Sequence, residues 1–141
     1  MREIKFRAWD GHNKKMWNSD EVVVWNNNIY INPKKKLESK IYGWSHSERL
    51  VMQLISNKDI AGVGVFDRDI ITFEDNKETY FVIFDEEREE YVACDISYFN
   101  KDLEKAPKLS RYWWGTKGIG RPIVLGNIYE NPELLETKKS S

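Results

Sequence analysis

What most constrains this chain is a period of two. Short stretches rich in Val, Ile, Phe, Tyr and Trp alternate with polar residues and are broken by clusters of Asp, Asn and Gly, a pattern of half-buried strands rather than helices. In the opening stretch Ile4, Phe6 and Ala8 point one way and Lys5, Arg7 and Trp9 the other. Asp10-Gly11 then offers the positive-φ residue of a hairpin turn, and Met16-Trp17 begins the return strand. A second hairpin is expected from Val22 to Trp25, across Asn26-Asn27-Asn28, to Ile29-Tyr30-Ile31, because Asn tolerates the left-handed backbone. Leu50 to Ile55 reads as a further strand, and so does Ile123-Val124-Leu125. Between them Ile70 to Glu74, Thr79 to Phe84 and Glu90 to Ile96 are separated by runs too polar to bury. These three form an antiparallel meander, the makings of a small barrel or curled sheet.

The stretch from Asn32 to Ser47, with Pro33, Lys34, Lys35, Lys36 and Gly43, lacks periodicity and reads as a long exposed connection. Helix signals are sparse. Asn100 to Lys105 allows one helical turn that Pro107 ends. Asn131-Pro132-Glu133 is the clearest helix start, because Asn caps free N–H groups, Pro has none to leave orphaned, and Glu suits the positive end of the dipole. Leu134 and Leu135 would dock that helix. A single domain is expected over residues 1–136, followed by a frayed polar tail at 137–141.

Composition narrows the function classes. At 141 residues the chain can bury a core without a disulfide, and its single cysteine, Cys94, forms no intrachain bridge. No run approaches the roughly 18 apolar residues of a membrane span, and Met1-Arg2-Glu3-Ile4-Lys5 lacks the apolar region of a signal peptide. A cytoplasmic protein with no membrane partner is expected. With 22 Lys and Arg against 23 Asp and Glu, the net charge of -1 supplies no global attraction for nucleic acid.

Candidate chemistry is thin. Zinc needs three or four protein ligands, and one Cys with two His, His12 in the first turn and His46 in a polar loop, falls short. Cys94 shares a strand face with Val92 and Ile96, the setting of a buried structural thiol. Asp59, Asp67 and Asp69 could gather around Mg²⁺ or Ca²⁺, but they do not match an EF-hand loop. Glu86, Glu87, Glu89 and Glu90 lie in a charged turn where nothing would raise a pKa for acid-base work. The glycines at 62 and 64 lack the spacing of a dinucleotide fingerprint, and those at 115, 118 and 120 lack a Walker ending and read as a flexible loop. Neither a cofactor nor a metal is expected.

One constellation remains, Arg111-Tyr112-Trp113-Trp114-Gly115-Thr116-Lys117-Gly118-Ile119-Gly120-Arg121-Pro122. Aromatic faces can stack on bases while Arg and Lys neutralise phosphate. Trp and Tyr are equally the residues of protein interfaces, and alternate aromatics in a strand can be core. The candidate binding residues are Arg111, Trp113, Trp114, Lys117 and Arg121. If Trp113 and Trp114 occupy a strand, they face opposite sides, so one is buried and the other exposed or covered by a partner.

Three segments carry a family resemblance: Arg2-Glu3-Ile4-Lys5-Phe6-Arg7-Ala8-Trp9-Asp10 with Lys15-Met16; Leu50-Val51-Met52-Gln53 through Lys58-Asp59, Gly62 and Asp69-Ile70-Ile71; and Gly126-Asn127-Ile128-Tyr129-Glu130-Asn131-Pro132-Glu133-Leu134. In order and spacing they resemble the signatures of the YopX family, encoded by bacteriophages and prophages. Ser56-Asn57 stand where that family usually has Thr-Gly, and Arg68 stands where Gly precedes the aspartate. The second departure argues against a very tight turn there, since Arg resists positive φ. The resemblance implies a β-rich fold with an SH3-like barrel or roll. It implies no established activity, so no catalytic residue is carried over. Asp69, Gly62 and Asn131-Pro132 all have structural explanations as turn, backbone and helix-start residues.

The expectation is a mainly β protein of antiparallel strands, with an SH3-like barrel element and one or two short helices. Its expected role is that of a phage or prophage accessory protein without catalysis, binding itself or a host or phage protein. A nucleic-acid-binding protein using the Trp, Arg and Lys loop is the alternative, and an enzyme dependent on a divalent ion is a third reading.

Overall fold

The computed structural model describes residues 5–11, 13–25, 28–31, 45–47, 50–56, 59–116 and 118–136. Its residues group into two compact units, Met1–Leu54 and Ile55–Ser141. Described strands dominate both, and the pairings within each unit are antiparallel.

The first unit holds β1 (Phe6–Asp10), β2 (Lys15–Trp17), β3 (Val22–Trp25), β4 (Asn28–Ile31), β5 (Ser45–Ser47) and the start of β6 (Leu50–Ser56). β1 pairs with β2 on one side, Ala8 opposite Trp17, and with β6 on the other, Arg7 opposite Met52. Ala8 and Trp17 are buried together with Val22 packed against them, as the alternation of β1 requires. The expected turn between β1 and β2 forms, but its positive-φ residue is Lys14 (φ 52) rather than Gly11. The Asp10 carboxylate holds it instead, accepting from the Asn13 amide at 3.1 Å and from Asn13 Nδ2 at 2.8 Å. The β3–β4 hairpin matches expectation. Ser45–Ser47 does not: the residues expected to end a long loop form β5, paired with β4, so His46 sits on a strand opposite Tyr30. The rest of that expected loop, including Lys34, Lys35 and Lys36, lies outside the described residues, as do His12 and the tail at 137–141.

The second unit adds β7 (Val65–Phe66), β8 (Asp69–Phe73), β9 (Tyr80–Asp85), β10 (Glu90–Asp95), β11 (Lys108–Ser110) and β12 (Pro122–Asn127). A curled five-stranded sheet runs in the order β11-β10-β9-β8-β12 and is only partly closed. β9 decides its layering. Tyr80 and Val82 enter a core with Ile71, Phe73, Ala93, Trp114 and Ile119, whereas Phe81 enters another with Cys94 and Ala106. Successive side chains of a strand face opposite ways, so both faces of the sheet demand a cover.

Helical structure among the described residues is confined to 3-10 turns: Ser19–Glu21, Ile96–Tyr98, Leu103–Lys105, Arg111–Trp113 and Pro132–Leu135. Asp95 and Asp102 cap two of them, accepting from the Ser97 amide at 2.9 Å and the Glu104 amide at 3.1 Å. Asn131 precedes the last turn as expected but does not cap it through its side chain. Its Oδ1 reaches back to accept from the Asn127 amide at 3.2 Å, beside a bulge between Val124 and Gly126 in β12. Asn127 Oδ1 in turn accepts from the amides of Tyr129 at 3.0 Å and Glu130 at 2.8 Å. The third signature segment is thus a turn folded around two asparagines.

The tight turn before β8 also forms, against expectation. Arg68 stands there at φ 70. Its amide donates to Val82 O at 2.9 Å, its carbonyl accepts from the Ile128 amide at 3.1 Å, and its guanidinium pairs with Asp67. The Phe66 amide closes the turn onto Asp69 Oδ2 at 2.8 Å. These interactions offset the roughly 1–2 kcal/mol that a left-handed non-Gly residue costs.

Gly126 generates a stability test. A Cβ there would lie 2.3 Å from Asn131 Oδ1 and 2.6 Å from its Cγ. Gly126→Ala should therefore lower stability by about 2 kcal/mol, and removing the clashing amide in Gly126→Ala/Asn131→Ala should recover part of the loss. Denaturant melts of the three proteins check this.

Candidate functional site

Between β11 and β12 the chain sends Trp114 and Ile119 onto one face of the five-stranded sheet. β11 ends at Ser110, whose hydroxyl accepts from the Tyr112 amide at 3.3 Å, and the chain turns into Arg111–Trp113. Trp113 and Trp114 are therefore not on a strand, as the alternation had suggested. Their opposite fates hold nonetheless: Trp114 is 7% exposed and Trp113 61%. Trp114 packs edge-on to Phe73 with centroids 5.7 Å apart, and its Nε1 donates to Leu109 O at 3.3 Å. Phe73 meets Tyr80 in the same geometry, so the indole completes an aromatic cluster.

The basic candidates divide. The Arg111 guanidinium lies 5.5 Å from the centroid of the Trp114 ring, a cation–π contact. Arg121 is exposed and bound to Glu74: its amide and Nε donate to Glu74 Oε1 at 2.9 and 2.8 Å. That pairing holds the Glu74 carboxyl below its usual range and raises the Arg121 guanidinium. Lys117 lies outside the described residues. The structure thus brings Arg111 and Trp114 together, leaves Trp113 outward, and ties Arg121 to another strand's end.

The loop expected to be flexible is closed by its own backbone. Gly115 N donates to Gly120 O at 2.7 Å, Gly120 N to Thr116 O at 2.6 Å, and Asp75 N to Ile119 O at 2.9 Å. Gly120 has φ 79, and a Cβ there would lie 2.7 Å from the Cβ of Glu74. Sequence reasoning missed Glu74, which is 47 residues from its partner. Tyr112 lay in the constellation but not among the candidate binding residues, and at 82% it is the most exposed large hydrophobic side chain among those described. The surface consists of Tyr112 and Trp113 on a loop pinned beneath by Trp114 and Ile119.

The acid and thiol candidates have other work. Asp59 is buried, and it accepts from the amides of Ala61 and Val63 at 2.8 Å and of Val124 at 3.0 Å. Burial works to raise its pKa, but hydrogen bonds from Val124, Val63, Ala61 and Gly62 outweigh that and hold it below the usual value. Among the described residues no three His, Cys, Asp or Glu side chains are grouped to hold a metal ion. Cys94 is fully buried, and burial pushes its thiol up to about 11, so it stays protonated at neutral pH.

Two measurements follow from this geometry. Trp114→Ala should cost about 3–5 kcal/mol, as truncation of a large buried aromatic does, whereas Trp113→Ala should cost within about 0.5 kcal/mol; paired thermal melts compare them. Because the folded-state pKa of Asp59 is depressed, its contribution is complete above the unfolded value of about 3.9 and is lost as pH falls through the lower folded value. Asp59→Ala should therefore cost about 3 kcal/mol at neutral pH, and urea melts from pH 7 to pH 2 should show the gap from the parent protein narrowing only below about pH 4.

The architecture agrees with comparisons to known proteins. The profile of the family described as YopX protein matches residues 5–136. The chain is similar to the crystal structure of protein EF1440 from Enterococcus faecalis, with 21% sequence identity, a TM-score of 0.55, and 96% of this chain and 100% of that chain covered. It is also similar to protein yopX from Bacillus subtilis, with 19% identity, a TM-score of 0.48, and 94% and 98% covered. A search of curated proteins gave no match. The likeness to EF1440 shows a shared fold, and the family profile spans both compact units and all three signature segments from residue 5 onward. On that match the chain belongs to the YopX family of phage and prophage proteins.

Proposed function

We propose that this protein is a non-catalytic binding module, acting in the bacterial cytoplasm and associating with itself or with a host or phage protein through Tyr112 and Trp113. The observation that carries the reading is the exposure of these adjacent aromatics, 82% and 61%, on a loop whose next residue, Trp114, is buried in the core. An anchored aromatic loses little conformational freedom on binding and offers a large contact area, which is why Tyr and Trp dominate interface hot spots. Supporting it from the other side, Asp59 is occupied by backbone donors and Cys94 by its apolar surroundings.

We read the curled sheet as the family's SH3-like element: β8, β9, β10 and β11 follow one another as a meander, and β12 returns to pair with β8. On this reading the connection from β11 to β12 carries Tyr112 and Trp113 as an exposed loop of that element. Nucleic acid is the second partner class. Arg111 faces Trp114 and Arg121 faces Glu74, so two of the expected phosphate contacts are engaged within the molecule, and a protein partner fits better.

Light scattering coupled to sizing, over a hundredfold range of concentration, tests the proposal. The parent protein should gain mass with concentration or co-elute with a partner captured from host lysate. Tyr112→Ser/Trp113→Ser should lose that behaviour with an unchanged melting temperature. A parent protein that stays monomeric and captures nothing, or a double variant that associates as before, overturns it. Binding to labelled DNA or RNA at low salt would instead favour the second partner class.

A further inference from the structure

The other face of the sheet carries a feature that the Trp113 surface does not use. Phe81 and Cys94 are buried there, with Ile83, Phe99, Leu103 and Ile128 packed against them. The cover supplied by residues 96–106 is incomplete. One cavity of about 240 Å³ is lined by Ile83, Asp85, Val92, Cys94, Leu103 and Glu104. A second, of about 160 Å³, is lined by Arg68, Phe81, Ile83, Lys101, Leu103 and Ile128. Ile83 and Leu103 belong to both walls, so the two cavities adjoin along β9.

Charge separates the two cavities. Around the Asp85 end stand Asp85, Glu86, Glu87 and Glu104, against Lys108 in the wall and Arg88 beside it. The Phe81 end has Lys101, which is exposed, and Arg68, whose guanidinium pairs with Asp67, and no carboxylate in its wall. Between the ends the floor is apolar, and Cys94 adds no charge because its thiol stays protonated. Asp85 anchors that end: its side chain is only 9% exposed, its Oδ1 accepts from the Glu87 amide at 3.1 Å, and its Oδ2 makes ion pairs with Lys108 at 3.4 Å and Arg88 at 3.6 Å. From Phe81 to Asp85 the strand advances four residues, about 13 Å.

We propose that these adjoining cavities form a groove that binds an extended segment of a partner polypeptide, about five residues long, with a basic side chain at the Asp85 end, an acidic one at the Arg68–Lys101 end, and an aliphatic one between them over Ile83 and Leu103. Residues i, i+2 and i+4 of an extended peptide share a face and span the same length as the groove. An arginine or lysine places its methylene stem against the apolar wall and its cation among the carboxylates. Phosphate chains are repelled at the acidic end, and a single amino acid is too short to reach both. The site lies on the face of β9 opposite the Trp114 core, so it is independent of the binding surface proposed above.

Fluorescence anisotropy with labelled, end-blocked peptides tests it. The probes are Arg-Ser-Leu-Ser-Glu, its reverse Glu-Ser-Leu-Ser-Arg, and the controls Arg-Ser-Leu-Ser-Arg and Gln-Ser-Leu-Ser-Gln. At least one of the two bipolar peptides should bind tenfold or more tightly than the glutamine control, and should weaken as salt is raised. Lys101 and Glu104 are exposed, so reversing their charges spares the core. Lys101→Glu should shift preference at least threefold toward Arg-Ser-Leu-Ser-Arg, and Glu104→Lys should weaken the bipolar peptide by a similar factor. Tyr112→Ser/Trp113→Ser should bind the peptides as the parent does. Equal binding of all four peptides, no binding up to 1 mM, charge reversals without effect, or loss of binding in the Tyr112 and Trp113 variant would each overturn the proposal.

Discussion

The two-sided burial of β9 and β10 governs the second unit. Val82, Ala93, Val92 and Cys94 are all fully buried, yet their side chains leave the strands in opposite directions. A sheet apolar on one face needs one cover, and this one needs two. The loop at 111–121 closes the first face by inserting Trp114 and Ile119. The 3-10 turns between 96 and 106 close the second with Ile96, Tyr98, Phe99 and Leu103. Both candidate binding features are consequences of how those covers are made. Burying Trp114 leaves its neighbours Tyr112 and Trp113 outside, and a cover of short turns leaves space that a regular helix would have filled.

Polar residues in this unit do structural work that resembles chemistry from a distance. Asp59 joins the turn around Gly62 to β12, 65 residues away, by offering both carboxylate oxygens to backbone amides. The same bond engages the outer edge of β12 at Val124, while the Ile60 amide takes up Pro122 O. An occupied edge is protected from pairing with another chain. Asn127 and Asn131 act alike at the far end of β12, satisfying amides that the bulge and the following turn release from the ladder. Two of the segments that identify the family are therefore places where one side chain organises several backbone groups.

Strand positions and class were legible because they depend on local pattern. Alternation located β1, β3, β4, β6, β8, β9, β10 and β12 to within a few residues, and burial of Cys94 followed from its register with Val92. What escaped was short or long-range. β5 and β11 have three residues each and β7 has two, too few for a period to register. Arg68 was read from its intrinsic aversion to positive φ, and two tertiary hydrogen bonds, with the neighbouring Asp67 carboxylate, overrode that aversion.

The sequence by itself determined that this chain folds into antiparallel strands and that Asp59, Asp67 and Asp69 do not match an EF-hand loop. These are statements about spacing, and spacing is written in the chain. Only the tertiary structure decided that Trp114 is inside and Trp113 outside, that Arg121 answers to Glu74, that Asp59 spends its charge on β12, and that two cavities adjoin at Ile83 and Leu103. Each of those depends on residues distant in sequence being brought into contact, and period-two geometry specifies which face a side chain takes but not what it meets there.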